Sequence, residues 1–381
     1  MSKESIGYYI LFLAIYSIAL PVAKLGLDNL ALLNFYKLSS DKFKDFLFRS
    51  TGLYLLWFVL VFIVVYFFSE KLGAKINLEP NLFLILLLIV FPYYFIAIRL
   101  NIYRAQQQAT KYSIFTLALT FVKHVSALIF ILFIDSKWEY ILLGYGIAHF
   151  IFGIWAFFSL KAKYYSQTNF NWSQIKIILK ESVPFLLHQI NIWFGSAYSR
   201  VAISENLGVA KTGGFGIAST FQTAMSILQE SFDKAYVPIL FESLNSNDKK
   251  FNSKIVFYSY LYYGGLFLSG ILLSLIGYYS IGILFGQEFE IYRNYVPLLV
   301  MASYFNGLYK IHVAYIFYQK KMIFVTLITF ISSSTNVLLI FLFIDEYGLL
   351  AVGFALLLAQ VTAYILAFFL GNKFYKMPWI K

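Results

Sequence analysis

The stretch SVPFLLHQINIWFGSAYSRVAISENLGVAKTGGFGIASTFQTAMSILQESFDKAYVPILFE, Ser182 to Glu242, decides the fold class of this chain. It reads as two apolar segments of membrane-spanning length joined by a short polar loop, Ser204 to Gly213. Each segment carries polar residues at helical spacing. The first stripe is Pro184, His188, Asn191, Gly195 and Ser199; the second is Ser219, Thr223, Ser226, Glu230 and Asp233. Steps of three and four set each stripe on one helix face. Inside a bilayer such a face turns toward a polar cavity or another helix, not toward lipid. The two segments therefore predict helices around a hydrated path.

The rest of the chain agrees with a membrane setting. Of 381 residues, 60% are hydrophobic and 13% charged, and mean hydropathy is +0.73. That balance belongs to a polytopic membrane protein rather than a soluble domain. With 42 Phe and 31 Tyr, aromatic surface suffices for belts at both interfaces. The absence of Cys excludes disulfides, thiol chemistry and thiolate metal sites. The 4 His are scattered, so no metal site and no cofactor is expected. A net charge of +12 invites a nucleic-acid partner. The basic residues, however, sit in short loops between apolar segments, where an inner-membrane protein keeps them, and no nucleic acid is expected. No Gly-rich phosphate loop with Lys-Ser or Lys-Thr occurs, and the loops are too short for a nucleotide domain, so ATP hydrolysis is not expected. The N-terminal apolar run lacks a small-residue cleavage site and is longer than a signal core, so it reads as mature protein.

Eleven spans are expected, at 7–33, 51–69, 81–105, 114–134, 140–160, 177–200, 209–232, 255–277, 294–317, 322–343 and 348–370. Most are near the roughly 20 residues that a hydrocarbon core requires. Charge tests this register. Of the 30 Lys and Arg, 21 fall on the side of the 37–49 loop and 7 on the other, with Lys24 and Lys123 inside spans. A bias of that size in short loops sets the basic side in the cytoplasm. The N-terminus is then outside and the C-terminus inside, in a bacterial inner (cytoplasmic) membrane.

A faint repeat runs through the chain. Ile6-Gly7-Tyr8-Tyr9 resembles Gly213-Gly214-Phe215-Gly216, and Ile134-Asp135 with Gly144-Tyr145 resembles Ile344-Asp345 with Gly353-Phe354. Half-chain symmetry of this kind is common in secondary transporters. It predicts an N-terminal helix bundle at 1–160, a polar and aromatic cytoplasmic joint at 161–176 and a C-terminal bundle at 177–381. The second half has a span, 177–200, before its Gly-aromatic start; the first half has none before Gly7.

The residues from Leu179 to Glu242 resemble the seventh and eighth helices of polysaccharide biosynthesis (O-antigen, lipid-linked oligosaccharide) flippases of the multidrug/oligosaccharidyl-lipid/polysaccharide exporter superfamily. The marks are Pro184, Leu207-Gly208, Gly213-Gly214-Phe215-Gly216-Ile217-Ala218, the run from Phe232 to Pro238, and Phe241. Ile6–Tyr36 is similar to that family's second helix. Ile344–Leu370, with Tyr347-Gly348 and Ala351-Val352-Gly353, is similar to its twelfth. The resemblance implies an all-α polytopic fold of two pseudo-symmetric bundles, here like the 12-helix exporter fold lacking its first helix. The unmatched span 177–200 and the external N-terminus leave two expectations open, one more span upstream of Met1 or a fold without the first helix. The resemblance also implies transfer of an undecaprenyl-diphosphate-linked oligosaccharide from the cytoplasmic to the periplasmic leaflet. Its partners would be that lipid and a glycan polymerase or glycosyltransferases of the same membrane, with a proton or Na⁺ gradient as an open question. One departure is Ser199-Arg200 where many relatives have Asp-Arg.

Candidate residues follow from charge inside spans. Lys24 and Asp28 share a face, and a buried pair offsets its own desolvation only in part. Arg99 ends a span and suits a diphosphate, because guanidinium binds phosphate bidentately; the alternative for it and for Arg104 is interfacial anchoring. Lys123, beside His124, sits at a depth that favours a cavity over snorkelling. Arg200 and Lys310, the latter on one face with Asn306, complete the substrate-binding candidates. Histidine ordinarily titrates near neutral pH, which makes His149 and His188 coupling candidates, with ordinary packing as the alternative. Glu230 and Asp233, beside Lys234, close a span as gate candidates or as a solvated helix end. Rival functions are a multidrug cation antiporter, which needs acids in the cavity, a membrane glycosyltransferase or polymerase, which needs acids in large external loops, and a peptidoglycan-type lipid flippase.

Overall fold

A computed structural model of the chain describes residues 2–135, 137–165, 171–246, 249–319 and 321–379, with the backbone alone at 234, 238, 245, 246, 249 and 250. Lys320 and Lys381 of the basic count and residues 166–170 of the expected joint lie outside the described residues, as does the side chain of Lys234. Helices occupy every one of the eleven expected spans. Eight segments among the described residues are long and apolar enough to cross a membrane by length and composition. The other three expected spans are 177–200, 209–232 and 294–317.

The chain forms two compact units, 1–193 and 194–381. The first holds α1 (Lys3–Lys24), α2 (Leu27–Lys37), α3 (Ser40–Ile76), α4 (Pro80–Val90), α5 (Tyr93–Ala105), α6 (Ala109–Phe133), α7 (Glu139–Tyr164) and most of α8 (Trp172–Ser196). The expected joint thus corresponds to the end of α7 and the start of α8, and α8 as far as Trp193 belongs to the first unit.

Two spans in this unit are broken, each for a local reason. Span 7–33 is α1 and α2, separated by Leu25 and Gly26 with φ of 53° and 70°. Gly26 combines a left-handed backbone with a close approach: a Cβ there would lie 2.7 Å from the Ser182 carbonyl oxygen and 2.8 Å from Phe185 Cβ of α8. The Val22 carbonyl at the break accepts from Trp57 Nε1 at 2.7 Å. Span 81–105 is α4 and α5, broken at Pro92. The His149 ring bonds the Ile89 carbonyl at 2.9 Å and Tyr54 donates to the Phe91 carbonyl at 2.6 Å. Neighbouring helices thus satisfy the polar backbone around the proline, as a membrane interior demands. Gly153 of α7 lies against the same proline; a Cβ would stand 2.4 Å from Pro92 Cβ.

The second unit holds α9 (Tyr198–Leu207), α10 (Val209–Ser246), α11 (Lys249–Phe285), a 3-10 helix (Gln287–Tyr295), α12 (Val296–Tyr318), α13 (Met322–Tyr347) and α14 (Leu349–Phe374). The expected polar loop Ser204–Gly213 is helical except at Gly208, whose φ of 92° makes the reversal in one residue. Helix α14 buries Ala351, Ala355, Ala359, Ala363, Ala367 and Gly371, one residue per turn on one face. Small side chains let helix backbones approach without a hydrophobic drive between them. Here α14 packs on α12 and α13, and Ser332 of α13 donates to the Ala359 carbonyl at 2.8 Å. Both halves of the repeat fall at helix junctions: Ile134-Asp135 follows α6, and Ile344-Asp345 ends α13.

Candidate functional site

Four of the candidates gather in the first unit. Lys24, the last residue of α1, reaches over the break to Asp28 in the first turn of α2, with Nζ to Oδ2 at 2.5 Å. Both side chains are largely buried, 14% and 9% exposed. The Asp28 carbonyl accepts from Asn101 Nδ2 at 2.8 Å, which ties the first turn of α2 to α5. The Lys24 ammonium also lies 5.6 Å from the Tyr93 ring centroid. From Tyr93 the contacts continue to His149 at 5.0 Å, from His149 to Tyr16 at 5.9 Å, and from Tyr16 to Tyr145 at 5.4 Å between ring centroids. Lys123 closes the series, 4.6 Å from the Tyr145 centroid. Two cations are therefore held against tyrosine faces, where the ring quadrupole attracts them, and one of the two is also paired with a carboxylate.

His149 has no spare nitrogen. Its Nδ1 faces the Ile89 carbonyl, which only accepts, so Nδ1 carries the proton and Nε2 accepts from the Tyr16 hydroxyl at 3.2 Å. The ring is buried and serves as a connector at the proline break. His188, on α8, is half-buried, and its Nδ1 is sealed from solvent with no partner among the described residues. Arg99 stands apart from the cluster, between the rings of Tyr103 and Trp155. His124 is exposed, 6.4 Å from the Tyr145 ring.

The second unit contains a polar cavity of about 270 Å³. The second stripe builds one wall: Ser219, Thr223 and Ser226 line it, with Gln222. The first stripe does not run as one face. Helix α8 ends at Ser196 and α9 begins at Tyr198, so the register is lost at Ala197. Of that stripe, Gly195 and Ser199 line the cavity, while Pro184, His188 and Asn191 belong to the first unit, whose last residue is Trp193. Arg200 lines the cavity as its charged residue among those described, with Nη1 donating to the Ser196 carbonyl at 3.4 Å.

The wall hydroxyls are directed by their own helix. Ser219 donates to the Gly216 carbonyl at 2.7 Å, Thr223 to Ser219 at 3.1 Å and Ser226 to Gln222 at 3.1 Å. With the protons spent there, what these oxygens offer the cavity is acceptor capacity. The donors come from Arg200 and the amides. Asn306 donates to Gln360 Oε1 at 2.9 Å, and Gln229 below them donates to the Ser303 carbonyl at 2.6 Å. The lining thus combines hydroxyl acceptors with one guanidinium donor.

Lys310 does not reach this cavity. It pairs with Asp233 at 3.3 Å, which joins a substrate candidate to a gate candidate. Glu230 is exposed. Several polar residues escaped the sequence reading: Tyr16, Tyr93 and Tyr145, the Gln229–Ser303 and Asn336 connectors, and His312. Asn336 donates to the Phe194 carbonyl at 3.0 Å. His312 is fully buried, bonds Tyr263 at 2.9 Å and lies among Phe368 and Trp379. Its signal was present: it follows Lys310 by two residues inside an apolar run, the same depth argument that selects His149.

No protein-family model matches the sequence, and no curated protein matches it. Solved structures do. An inward-facing multidrug resistance MATE family transporter of the MOP superfamily has a TM-score of 0.79 at 14% identity, over 98% of this chain and 90% of that chain. The lipid II flippase MurJ, in an inward closed conformation, has a TM-score of 0.73 at 17% identity, over 97% and 81%. A mutant of the Vibrio cholerae MATE transporter VcmN has a TM-score of 0.56 at 14% identity, over 96% and 86%. At such identities the likeness is one of fold, and this chain has the all-helical fold of the MATE and MurJ exporters.

Proposed function

We propose that this chain is a flippase that moves a polyprenyl-diphosphate-linked oligosaccharide from the cytoplasmic to the periplasmic leaflet of a bacterial inner membrane, by alternating access and without enzymatic chemistry. The observation that carries the reading is the sign of the charge inside the spans. Lys24 and Lys123 share one cluster in the first unit, and Arg200 lines a second-unit cavity whose other described lining residues are neutral. A diphosphate in hydrocarbon is prohibitively costly unless cations receive it. Tyrosine faces beside the lysines and hydroxyl acceptors beside Arg200 suit the sugars. The likeness to a lipid II flippase supports a lipid-linked cargo.

The rival reading is a multidrug cation antiporter. It is favoured by the likeness to a multidrug resistance transporter and by one buried carboxylate, Asp28. That carboxylate is already engaged by Lys24. Complementation of a strain lacking its own glycan flippase separates the two. Export should be restored by the chain and lost in the Arg200→Gln and Lys123→Gln variants at matched protein levels, with lipid-linked glycan accumulating on the cytoplasmic face. Full export by both variants would sink the reading, and drug resistance without glycan export would install the rival. The accompanying topology, N-terminus outside and C-terminus inside, is tested by a reporter fused after Lys381, which should be active on the cytoplasmic side.

A further inference from the structure

Arg99 poses a problem that the flipping reading leaves unused. Its guanidinium leaves α5 and lies 4.4 Å from the Tyr103 ring centroid and 5.8 Å from that of Trp155 on α7. Phe115 of α6 closes the box, 5.3 Å from Trp155 and 6.4 Å from Tyr103. Nε and Nη1 are sealed from solvent and meet no hydrogen-bond acceptor among the described residues. Ring faces attract the cation, but they accept none of its directional N–H bonds. A buried charged donor without an acceptor is among the costlier arrangements in a protein, so the geometry calls for an acceptor beyond the described residues.

The surroundings say what kind. The outer wall of the box, Trp155, is 47% exposed, and Ile151, Ile154 and Phe158 beside it on α7 are 55%, 52% and 61% exposed. That is an apolar strip suited to acyl chains. Arg99 points along α5 toward Tyr103 and the helix end, where Arg104 and Lys111 belong to the basic-rich side. Guanidinium is planar and presents paired donors that match two oxygens of a phosphodiester. We propose that Arg99, with Tyr103 and Trp155, holds the phosphate of an anionic phospholipid of the basic-side leaflet, whose acyl chains lie on the exposed face of α7. The proposal rests on the membrane reading alone and not on flipping, so either can fail without the other.

Native mass spectrometry of the full chain, released from detergent with phosphatidylglycerol, reads the site directly. The chain should retain one more phosphatidylglycerol than Arg99→Gln under equal activation, with Arg99→Lys in between and no such difference for phosphatidylcholine. Equal retention by Arg99→Gln would overturn the proposal. Quenching of Trp155 serves if that variant does not fold. The Trp155 signal, taken as the difference between the chain with its 6 Trp and Trp155→Phe, should show a roughly five-fold preference for brominated phosphatidylglycerol over brominated phosphatidylcholine, as one basic residue at an anionic surface gives. No preference would also overturn it. Addition of undecaprenyl phosphate is the last arm. Displacement of phosphatidylglycerol at lower concentration would reassign the box to the cargo lipid and overturn the bilayer-lipid assignment; persistence of phosphatidylglycerol supports it.

Discussion

The two units solve the same problem, polar groups inside a bilayer, by different means. The first uses charge: Lys24 against Asp28 and Lys123 against the face of Tyr145, with a buried His149 between them. The second uses neutral groups, Gln229 to Ser303, Asn306 to Gln360 and Asn336 to Phe194, and keeps one guanidinium at its cavity. The Lys24–Asp28 pair is neutral as a whole and first of all stabilises the fold, whereas Lys123, held against a ring rather than an acid, keeps its charge unneutralised. The Arg200 guanidinium, whose bond among those described is a long one of 3.4 Å to the Ser196 carbonyl, is held less tightly, and its loss should weigh less on the fold. Lys24 and Arg200 should therefore respond in opposite ways to removal of the charge.

The largest effect is expected at Lys24. Lys24→Met leaves Asp28 as an uncompensated buried charge, at a cost of about 3–5 kcal/mol. Removing both charges together, as in Lys24→Met with Asp28→Leu, should recover most of that loss, because a well-packed apolar pair replaces a buried ion pair at little cost. Inactivation half-life at fixed temperature is the suitable measure, since large membrane proteins seldom unfold reversibly. The matched control is Arg200→Met, which should lose glycan export while its half-life stays near that of the parent. A parental half-life for Lys24→Met, or a shortened one for Arg200→Met, would reverse the contrast.

Next comes the break that places Lys24 beside Asp28. In Gly26→Ala the new Cβ meets fixed backbone, the Ser182 carbonyl at 2.7 Å, at a φ of 70°. Left-handed strain of about 1–3 kcal/mol adds to a comparable overpacking cost. In Gly214→Ala the new atom meets the far end of the Tyr292 ring, with the nearest atom at 2.0 Å. A side chain can swing away where a backbone cannot, so Gly26→Ala should shorten the half-life more than Gly214→Ala. The opposite order would mean that α8 yields more readily than Tyr292.

These pairs also show how far the sequence could be read. Hydropathy located a helix in each of the eleven expected spans, eight of them long and apolar enough to cross a membrane, because bilayer thickness leaves a one-dimensional trace. The break at Leu25-Gly26 was not visible, since its cause is the approach of Ser182, more than 150 residues away. The stripe from Pro184 to Ser199 is cut twice, at Trp193–Phe194 where the two units divide within α8 and at Ala197 where the helical register is lost, and neither cut shows in the periodicity. Among the candidates, Lys24 with Asp28 was legible because i,i+4 spacing is local. The meeting of Lys123 with Tyr145 and of Lys310 with Asp233 was not, because those partners lie on other helices. The alanine face of α14 was a readable signal of close packing that a search for charge passes over.

A third effect, smaller again, tests the neutral network. Gln229 is fully buried, and its amide donates to the Ser303 carbonyl at 2.6 Å and to the Ser303 hydroxyl at 3.2 Å. Gln229→Leu should cost about 1–3 kcal/mol through the acceptors it leaves unpaired. Because no charge is stranded, the loss should stay below that of Lys24→Met. Equal losses would mean that neutral and charged connectors serve these units alike.

The smallest effect is expected where the second unit does carry an ion pair. Lys310 and Asp233 stand 3.3 Å apart with side chains 25% and 23% exposed, so water reaches both and screens them far more than it does Lys24 and Asp28. Lys310→Met should cost no more than about 1 kcal/mol, the upper range for accessible pairs. The loss should shrink in added salt, since screening at physiological ionic strength already reaches within about 8 Å. The loss in Lys24→Met, set by burial, should be insensitive to the same salt. Half-lives of both variants measured across one salt series decide the point. Parallel salt responses would show that the two pairs share an environment, and the distinction between a charge-paired first unit and a neutral second unit would fall.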